Sequence, residues 1–366
     1  MSLASRLYSG NPGFDFRRAW GRALVVSLVL VAICAVSLLT RGLNLGIEFE
    51  GGGVWEVPSA DLSVAQARDA LRPSGNDGAR IQIVTTASGS RLVRVQAGVE
   101  AVDESEVIAR ALAEAAGVPV AEVSINTVGP SWGDEITRQA QRALVFFFIA
   151  IAAYISIRLE WKMALAALVA VAHDIIISVG VYSLFQFTVT PATVIAFLTI
   201  LGYSLYDTVV VFDKLRESSN LAGTANRFTY TDMANHATNE VFMRSVNTTL
   251  TSLLPVVSML VVGSWILGAT TLEEFAIALI VGLLVGAYSS VFVAVPVVVF
   301  MKEREPANIE LRKRIEARGG SAPVGTMPTR GTTAGPAAPR TAAAPAAPAP
   351  ATTTHPPRPR KKGRRR

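Results

Sequence analysis

This sequence is poor in the residues from which many soluble catalytic sites are built. It has one cysteine, Cys34, so no disulfide can form within the chain. Charged residues make up 17%, against about 25% in an average soluble protein. The phosphate-binding pattern of Gly, four residues and Gly-Lys-Ser/Thr is absent, which argues against a nucleotide as the energy source. We therefore expect a protein that is not an enzyme and that needs neither a cofactor nor a metal.

Long apolar runs are what the chain has instead, and hydrophobic residues reach 51%. A bilayer-spanning helix needs about 20 predominantly apolar residues. Six runs approach or exceed that length, near 23–40, 140–157, 163–187, 191–212, 246–267 and 274–300. The predicted fold class is therefore an α-helical polytopic membrane protein with six transmembrane helices.

Basic residues flank these runs unevenly, and this predicts the orientation. Arg and Lys residues precede the first run, separate the second from the third, and follow the fourth. Because cytoplasmic flanks are enriched in Arg and Lys, we expect both termini in the cytoplasm. Residues 43–135 carry 14 acids and 6 bases, whereas residues 302–366 carry 15 bases and 4 acids, so the sign of the charge changes across the membrane.

Between the first two runs, the pattern predicts a soluble domain with the order strand, helix, strand, strand, helix, strand. The predicted strands are Gly53–Val57, Arg80–Thr86, Arg91–Gln96 and Glu122–Val128, with a hairpin turn at 88–89. The predicted helices are Val64–Arg72, opened by a capping box at Ser63 and Gln66, and Glu104–Ala116. This order is that of an α+β ferredoxin-like domain, here on the extracytoplasmic side.

The resulting division of the chain has five parts. Residues 1–22 form a cytoplasmic segment, 23–41 the first transmembrane helix, and 42–139 the extracytoplasmic domain. Residues 140–304 form helices two to six, with a cytoplasmic connection at 217–241 that carries at most a short surface helix. Residues 305–366 form a disordered, basic, Ala/Pro-rich tail, which suits contact with anionic lipid or ribosomal RNA as well as a plain solubilising role.

Ionisable residues inside the apolar runs are the candidate functional groups. Asp207 lies seven residues before Lys214, which puts its backbone about 10 Å inside the cytoplasmic end of the fourth span. His173 and Asp174 lie in the third span and Arg244 at the start of the fifth. Membrane acids mark proton relays or static polar contacts, and both readings stay open, with a structural role favoured for His173. We expect Asp207 and Arg244 to approach within one or two residues' reach.

Four segments together resemble the SecF subunits of the SecD/SecF family of protein-export membrane proteins. They read GIEFEGG at 46–52, HD at 173–174, GYSLYDTVVVFDKLRE at 202–217 and RSVNTT at 244–249. Where the family commonly has Gly-Ile-Asp-Phe, this chain has Glu48, and where it has Asn before the span-four aspartate, this chain has Tyr206. The resemblance covers about residues 14–304 and implies a member of the RND-type superfamily in the cytoplasmic (inner) membrane.

The resemblance implies a function and a set of partners. It implies an accessory subunit of the Sec translocase that uses the proton motive force with SecD to promote export and release of secreted proteins on the outer side. Implied partners are SecD, the SecYEG channel, SecA, YajC, YidC and translocating unfolded polypeptides. The alternatives are an RND-type exporter subunit for small molecules or lipids, and a scaffold of the translocon without motor activity.

The resemblance also implies which residues matter. Asp207 and Arg244 would form the proton-coupling pair, with Asp174 close behind. The supporting positions are His173, Thr208, Asp213, Gly202 and Asn247. Asp213 lies at the edge of its span, which favours an interfacial charge, and the glycines at 282 and 286 favour close helix packing.

Overall fold

Six membrane-spanning helices dominate the structure, a computed structural model that describes residues 13–85, 91–98, 102–223, 227–266 and 270–321. Within those residues, six helices are long and apolar enough to cross a membrane, as predicted. They are Phe16–Arg41, Ser131–Arg158, Trp161–Phe185, Pro191–Asn220, Tyr230–Gly263 and Thr271–Lys302. The chain is therefore a multi-pass membrane protein.

The regular elements follow one another in a simple order along the chain. Up to the sheet domain they are α1 (Phe16–Arg41), β1 (Asn44–Leu45) and α2 (Ile47–Glu50). The domain contains β2 (Gly52–Pro58), α3 (Val64–Leu71), β3 (Arg80–Thr85), β4 (Arg91–Ala97), α4 (Val102–Ala116) and β5 (Ser124–Val128). The remaining elements are α5 (Pro130–Arg158), α6 (Trp161–Phe185), β6 (Thr188–Val189), α7 (Pro191–Gly223), α8 (Tyr230–Ser258), α9 (Thr270–Ser289), α10 (Val295–Lys302) and α11 (Pro306–Ala317). Two π-helical segments, Met259–Ile266 and Ser290–Ala294, extend α8 and join α9 to α10.

The sheet domain has four antiparallel strands in the order β3-β4-β2-β5. Alternate residues of the strands point to α3 and α4, and Trp55 is fully buried among them, with its Nε1 donating to Ser105 O at 3.1 Å. The capping box of Ser63 and Gln66 opens α3 as predicted. The elements follow the predicted βαββαβ order, and the predicted turn at 88–89 lies outside the described residues.

Small residues let the membrane helices approach closely. Ala166, Ala167 and Ala170 of α6 are buried in the bundle core. Gly282 of α9 packs on Ile200 of α7, which agrees with the packing role predicted for this glycine. Large apolar side chains of α1 and α5 instead remain exposed on the outside of the bundle, where lipid or another membrane protein can cover them.

A short parallel ribbon joins the bundle to the sheet domain at what we call the sheet end of the bundle. Asn44 and Leu45 of β1 pair with Thr188 and Val189 of β6. The Nε2 of Gln96 in β4 donates to Leu45 O at 3.2 Å, which ties the sheet to this ribbon. The sheet is thereby held over the ends of α6 and α7.

The predicted polar connection at 217–241 is wrong in extent, because most of it is helix. Helix α7 continues to Gly223, and α8 begins at Tyr230 behind an N-cap at Thr229. Three polar side chains of α8 bind the N-terminal segment: Asp232, Asn235 and Asn239. Asn239 Oδ1 accepts from Phe14 N at 2.7 Å, and Asn235 Oδ1 accepts from Phe16 N at 2.8 Å. Hydropathy treats such residues as exposed, although their partners lie within the protein.

Three other predicted boundaries also shift. Helix α1 begins at Phe16 rather than at 23, and α5 begins at Pro130 rather than near 140. The stretch predicted as disordered from 305 begins with α11, which has Pro306 in its first turn. An ion pair four residues apart, Arg312 with Glu316 at 2.9 Å, supports this helix despite its low hydropathy. Residues 322–366 lie outside the described part of the chain.

The contact between α1 and α6 yields a stability prediction. A Cβ at Gly180 would overlap the Cβ of Cys34 and come within 2.9 Å of its Cα, so α1 would have to move. We expect Gly180→Ala to lower the stability of the bundle by about 1–3 kcal/mol, as overpacking typically does. Thermal unfolding of the purified protein in detergent measures this.

Gly21→Ala is the matched control, because nothing lies within 4 Å of a Cβ at that position of α1. An equal melting temperature for Gly180→Ala and Gly21→Ala would contradict the close contact of α1 with α6.

Candidate functional site

Asp207 of α7 is half-buried and is bound by two serine hydroxyls. Its Oδ2 accepts from Ser245 Oγ of α8 at 2.5 Å and from Ser290 Oγ, just after α9, at 2.6 Å. Hydrogen bonds to a charged group contribute about 1.5–3 kcal/mol each. Three helical elements therefore meet at one carboxylate that has no basic partner among the described residues.

Asp174 of α6 is bound in the same way and is only 1% exposed. Its Oδ2 accepts from Ser204 Oγ of α7 at 2.5 Å and from Ser289 Oγ of α9 at 2.9 Å. His173 Nδ1 lies 3.1 Å from the other carboxylate oxygen. Asp174, a candidate from the sequence, is thus a buried carboxyl group with partners at both oxygens.

The two aspartates are linked through adjacent residues. Ser289 and Ser290 are consecutive, and each binds a different aspartate. Ser204, which binds Asp174, lies one helical turn before Asp207. The π-helical segment begins at Ser290, and such widened turns often occur at functional sites. A shift of this turn would act on both carboxyl groups together.

His173 connects this pair to α1. Its ring stacks on Tyr288, with the ring centroids 6.2 Å apart, and the Tyr288 hydroxyl donates to Ala23 O at 2.8 Å. Its Nε2 is buried and has no hydrogen-bond partner among the described residues. The position suits the structural role favoured from the sequence.

Arg244 lies beside Asp207 but does not bind it. The guanidinium is exposed and donates to the Tyr206 hydroxyl at 3.2 Å, while the neighbouring Ser245 contacts Asp207. Each charged residue thus contacts the residue adjacent to the other, which agrees with the expected approach within one or two residues. A direct ion pair between the two is not formed in this structure.

The supporting positions fall into two groups. Thr208 is buried, 2% exposed, directly after Asp207. Asp213 is exposed and lies 3.4 Å from Arg158, as expected of a charge at the edge of the span. Gly202 and Asn247 lie on exposed faces of α7 and α8. Among the described residues, none of these four forms a hydrogen bond with the carboxyl group of Asp174 or Asp207, and Thr208 differs from the other three in being buried.

A small cavity of about 30 Å³ adjoins Asp207, large enough for about one water molecule. Its lining includes Tyr203, Tyr206, Thr248 and Ser252, on the same side of the bundle as Arg244. Gly286 also lines it, and a Cβ there would come within 2.9 Å of Ser204 Cβ. This glycine makes room for the serine that binds Asp174.

The serines were not predicted from the sequence. No spacing in the sequence distinguishes these serines from other helical serines that bond their own backbone. Only the rotation of each helix decides that Ser204, Ser245, Ser289 and Ser290 point to the aspartates. Among the described residues, no group of three His, Cys, Asp or Glu side chains is placed to hold a metal.

Fold and site together define a class: a multi-pass membrane protein whose bundle contains two serine-bound carboxyl groups and carries an α+β domain between its first two helices. Comparison with known proteins identifies the family. The family described as "Protein export membrane protein SecD/SecF, C-terminal" matches residues 108–304, and the "SecD/SecF GG Motif" matches residues 36–52. The chain belongs to the SecD/SecF family.

Several relatives are similar over most of the chain. The protein translocase subunit SecF of Streptomyces coelicolor is 42% identical over 87% of this chain and 84% of its own length. That of Mycobacterium tuberculosis is 37% identical over 89% of this chain and 75% of its own. The crystal structure of SecDF from Thermus thermophilus, described as a translocon-associated membrane protein, matches with a TM-score of 0.68 and 32% identity. The match covers 80% of this chain and 39% of that one, so this chain corresponds to less than half of SecDF.

The buried Asp174 should contribute more to stability than the exposed Asp213. Asp174→Ala leaves the Ser204 hydroxyl and the His173 ring without their acceptor, whereas Ser289 can still donate to Gly286 O, and each unsatisfied buried group costs about 1–3 kcal/mol. We expect a large fall in melting temperature for Asp174→Ala. Thermal unfolding in detergent or nanodiscs measures it.

Asp213→Ala serves as the control, because exposed ion pairs contribute about 0–1 kcal/mol. If Asp174→Ala melts at the same temperature as Asp213→Ala, the cluster around Asp174 is not a stabilising contact.

Proposed function

We propose that this chain is an accessory subunit of the Sec protein translocase. It works with a SecD-type subunit and the proton motive force to promote export and release of secreted proteins on the outer side of the membrane. Family membership supports the translocase role, and the fused SecDF relatives support SecD as the partner. The SecYEG channel, SecA, YajC, YidC and unfolded polypeptides are the further proposed partners.

The binding of Asp207 by neutral hydroxyls is the observation that carries the proton-coupling proposal. A hydroxyl can donate to a carboxylate or accept from a carboxylic acid. Ser245 and Ser290 can therefore bind Asp207 in either protonation state, and the proton can come and go without dismantling the contact. A lysine or arginine in their place would hold the carboxylate in its charged form.

Arg244 is the positive charge that a movement of the helices could bring to Asp207 or take away from it. It is one residue away from the serine that binds Asp207, and its guanidinium has no acidic partner among the described residues. A movement that brings Arg244 onto Asp207 would favour the ionised carboxylate, and its withdrawal would favour the protonated one. Proton transfer at Asp207 is thereby coupled to the relative position of α7 and α8. Asp174 responds through Ser289 and Ser204.

The exposed position of Arg244 also favours the presence of a second membrane subunit beside α7 and α8. Tyr206 and Asn247 are exposed on the same side of the bundle, and lipid hydrocarbon cannot bind such groups. A SecD-type bundle that covers this face would supply the missing polar partners. No covalent chemistry on the exported protein is involved, and the chain acts as a non-catalytic subunit.

The orientation completes the proposal. Arginines at 17, 18 and 22, together with Arg158 and Lys162, lie at the end of the bundle opposite the sheet. By the positive-inside rule this end faces the cytoplasm, with both termini. The domain at 42–139 is then extracytoplasmic, and its antiparallel strand order and two helices on one face suit a ferredoxin-like assignment. The basic tail would meet anionic lipid or the ribosome on the inner side.

The substitution Asp207→Asn tests whether the chain couples the proton gradient to export. Proton-transfer groups typically contribute about 10²-fold or more, so we expect gradient-dependent export to fall by at least about tenfold. Export of a secreted reporter into vesicles, with and without a proton gradient and at matched levels of the SecD-type complex, measures this. Arg244→Met should have a similar effect.

Asp213→Asn, an exposed aspartate on the same helix, is the control and should keep full gradient dependence. Undiminished gradient-dependent export with Asp207→Asn would reject the motor and leave the chain as a scaffold of the translocon.

Crosslinking can test whether a SecD-type subunit covers the face that carries Tyr206, Arg244 and Asn247. A photoreactive side chain at Leu250, exposed on α8 six residues after Arg244, should crosslink to the SecD-type subunit. A photoreactive side chain at Ile157, 88% exposed on α5, is the comparison and should react mainly with lipid. Gel analysis of the complex after illumination measures the yield of crosslinked product from each position. Equal crosslinking from the two positions would contradict the proposed interface.

A further inference from the structure

A polar cavity of about 250 Å³ lies between the sheet and the sheet end of the bundle. The uncovered face of the sheet forms one wall, because residues that alternate with the buried core point there. That wall includes Glu56, Gln82, Arg94, Gln96 and Asn126. The opposite wall, from the bundle side, includes Glu48, Thr188, Thr190, Thr271 and Glu274. A site this large and this polar has room for several water molecules.

Glu274, in the second turn of α9, is partly buried on the bundle side of this cavity. Thr190, the residue just before α7, lines the same cavity. The charged groups that face it are Arg94 of β4, Glu48 of α2 and Glu273 of its own helix. From α6, the Tyr182 hydroxyl donates to its backbone carbonyl at 3.2 Å. Arg94 is shared, since its Nε already lies 2.9 Å from Glu56 Oε1.

Glu48 brings a second carboxylate to the same cavity. A Cβ at Gly46 would overlap Glu48 Oε2 and come within 3.2 Å of Thr190 Cγ2, so the Glu48 carboxylate lies against Gly46 on the side of Thr190. Glu48 and Glu274 thus line one cavity together with Thr190 and Arg94. Carboxyl groups that border one site repel each other as anions, and this repulsion favours protonation of one of them.

Hydroxyl groups lead from this pair into the bundle. Thr190 Oγ1 lies 3.2 Å from Thr193 Oγ1, and Thr193 is fully buried. Tyr182, below Glu274, is also buried at 1% exposure. The carboxyl pair thus stands where the water-sized space ends and the interior of the bundle begins.

We propose that Glu48 and Glu274 form a proton-loading site on the outer side of the membrane. The inference rests on the proposed proton coupling and places its outer acceptor in this cavity. Hydronium in the cavity loses a proton, whose O–H bond breaks as a carboxylic O–H bond forms on one of the two glutamates, and water is released. No electrons are transferred and no other reactant is needed. The other glutamate and Arg94 balance the remaining charge.

Infrared titration of the reconstituted complex with its SecD-type subunit tests proton binding directly. In the wild type, lowering the outer pH should produce a protonated-carboxyl signal, and Glu274→Gln should lose it. Glu50→Gln is the control, since Glu50 lies on the same short helix as Glu48 but is exposed. An unchanged signal in both Glu274→Gln and Glu48→Gln would overturn the proposal.

Gradient-driven export measured against outer pH separates this site from Asp207. We expect Glu274→Gln to flatten the dependence on outer pH and slow export by about tenfold, a modest effect for a proton-transfer group. Asp207→Asn should abolish gradient-driven export while keeping the infrared signal of Glu274. A wild-type pH dependence in assembled Glu274→Gln would reject the loading site without affecting the proposal for Asp207.

Discussion

In the hydrocarbon interior of a bilayer, a polar side chain persists only where another part of the protein binds it. Asp174 and Asp207 meet this constraint through four serines that come from α7, α8 and the end of α9. The same contacts fix the rotation of those helices about their axes. Gly286 and the π-helical turn at Ser290 make these contacts possible. Both bring the end of α9 close enough for Ser289 and Ser290 to reach two different aspartates.

The chemistry of these contacts also explains how a rigid bundle can respond to protons. Hydroxyl donors bind both forms of a carboxyl group, so protonation changes charge without removing a contact. The positive charge that would distinguish the two forms, on Arg244, lies just outside the cluster and binds Tyr206 instead. In the proposed mechanism, neutral groups hold the site together, and the distance of Arg244 from Asp207 changes with the charge of the carboxyl group. The polar cavity at the sheet end has room for water and lies beside the opposite end of the same helices.

Much of the fold was predictable because its signals are local. Long apolar runs predicted six spans, and alternation with a capping box at Ser63 predicted the order of strands and helices. Errors arose where burial depends on distant partners, as at Asn235 and Asn239, whose polarity resembles that of a surface connection until the N-terminal segment covers them. The approach of Asp207 to Arg244 followed from their depth. That Ser245 rather than Arg244 binds Asp207 depends on a rotation of about 100° per residue, which no pattern in the sequence fixes.

The central claim is that Asp207 takes up and releases the coupled proton. Proton flux through the purified complex with its SecD-type subunit, reconstituted in vesicles with a pH-sensitive dye inside and driven by an imposed membrane potential, tests it most directly. The account predicts a flux in the wild type and in Asp213→Asn that is lost in Asp207→Asn. An equal flux through wild type and Asp207→Asn, at equal amounts of assembled complex, would contradict it.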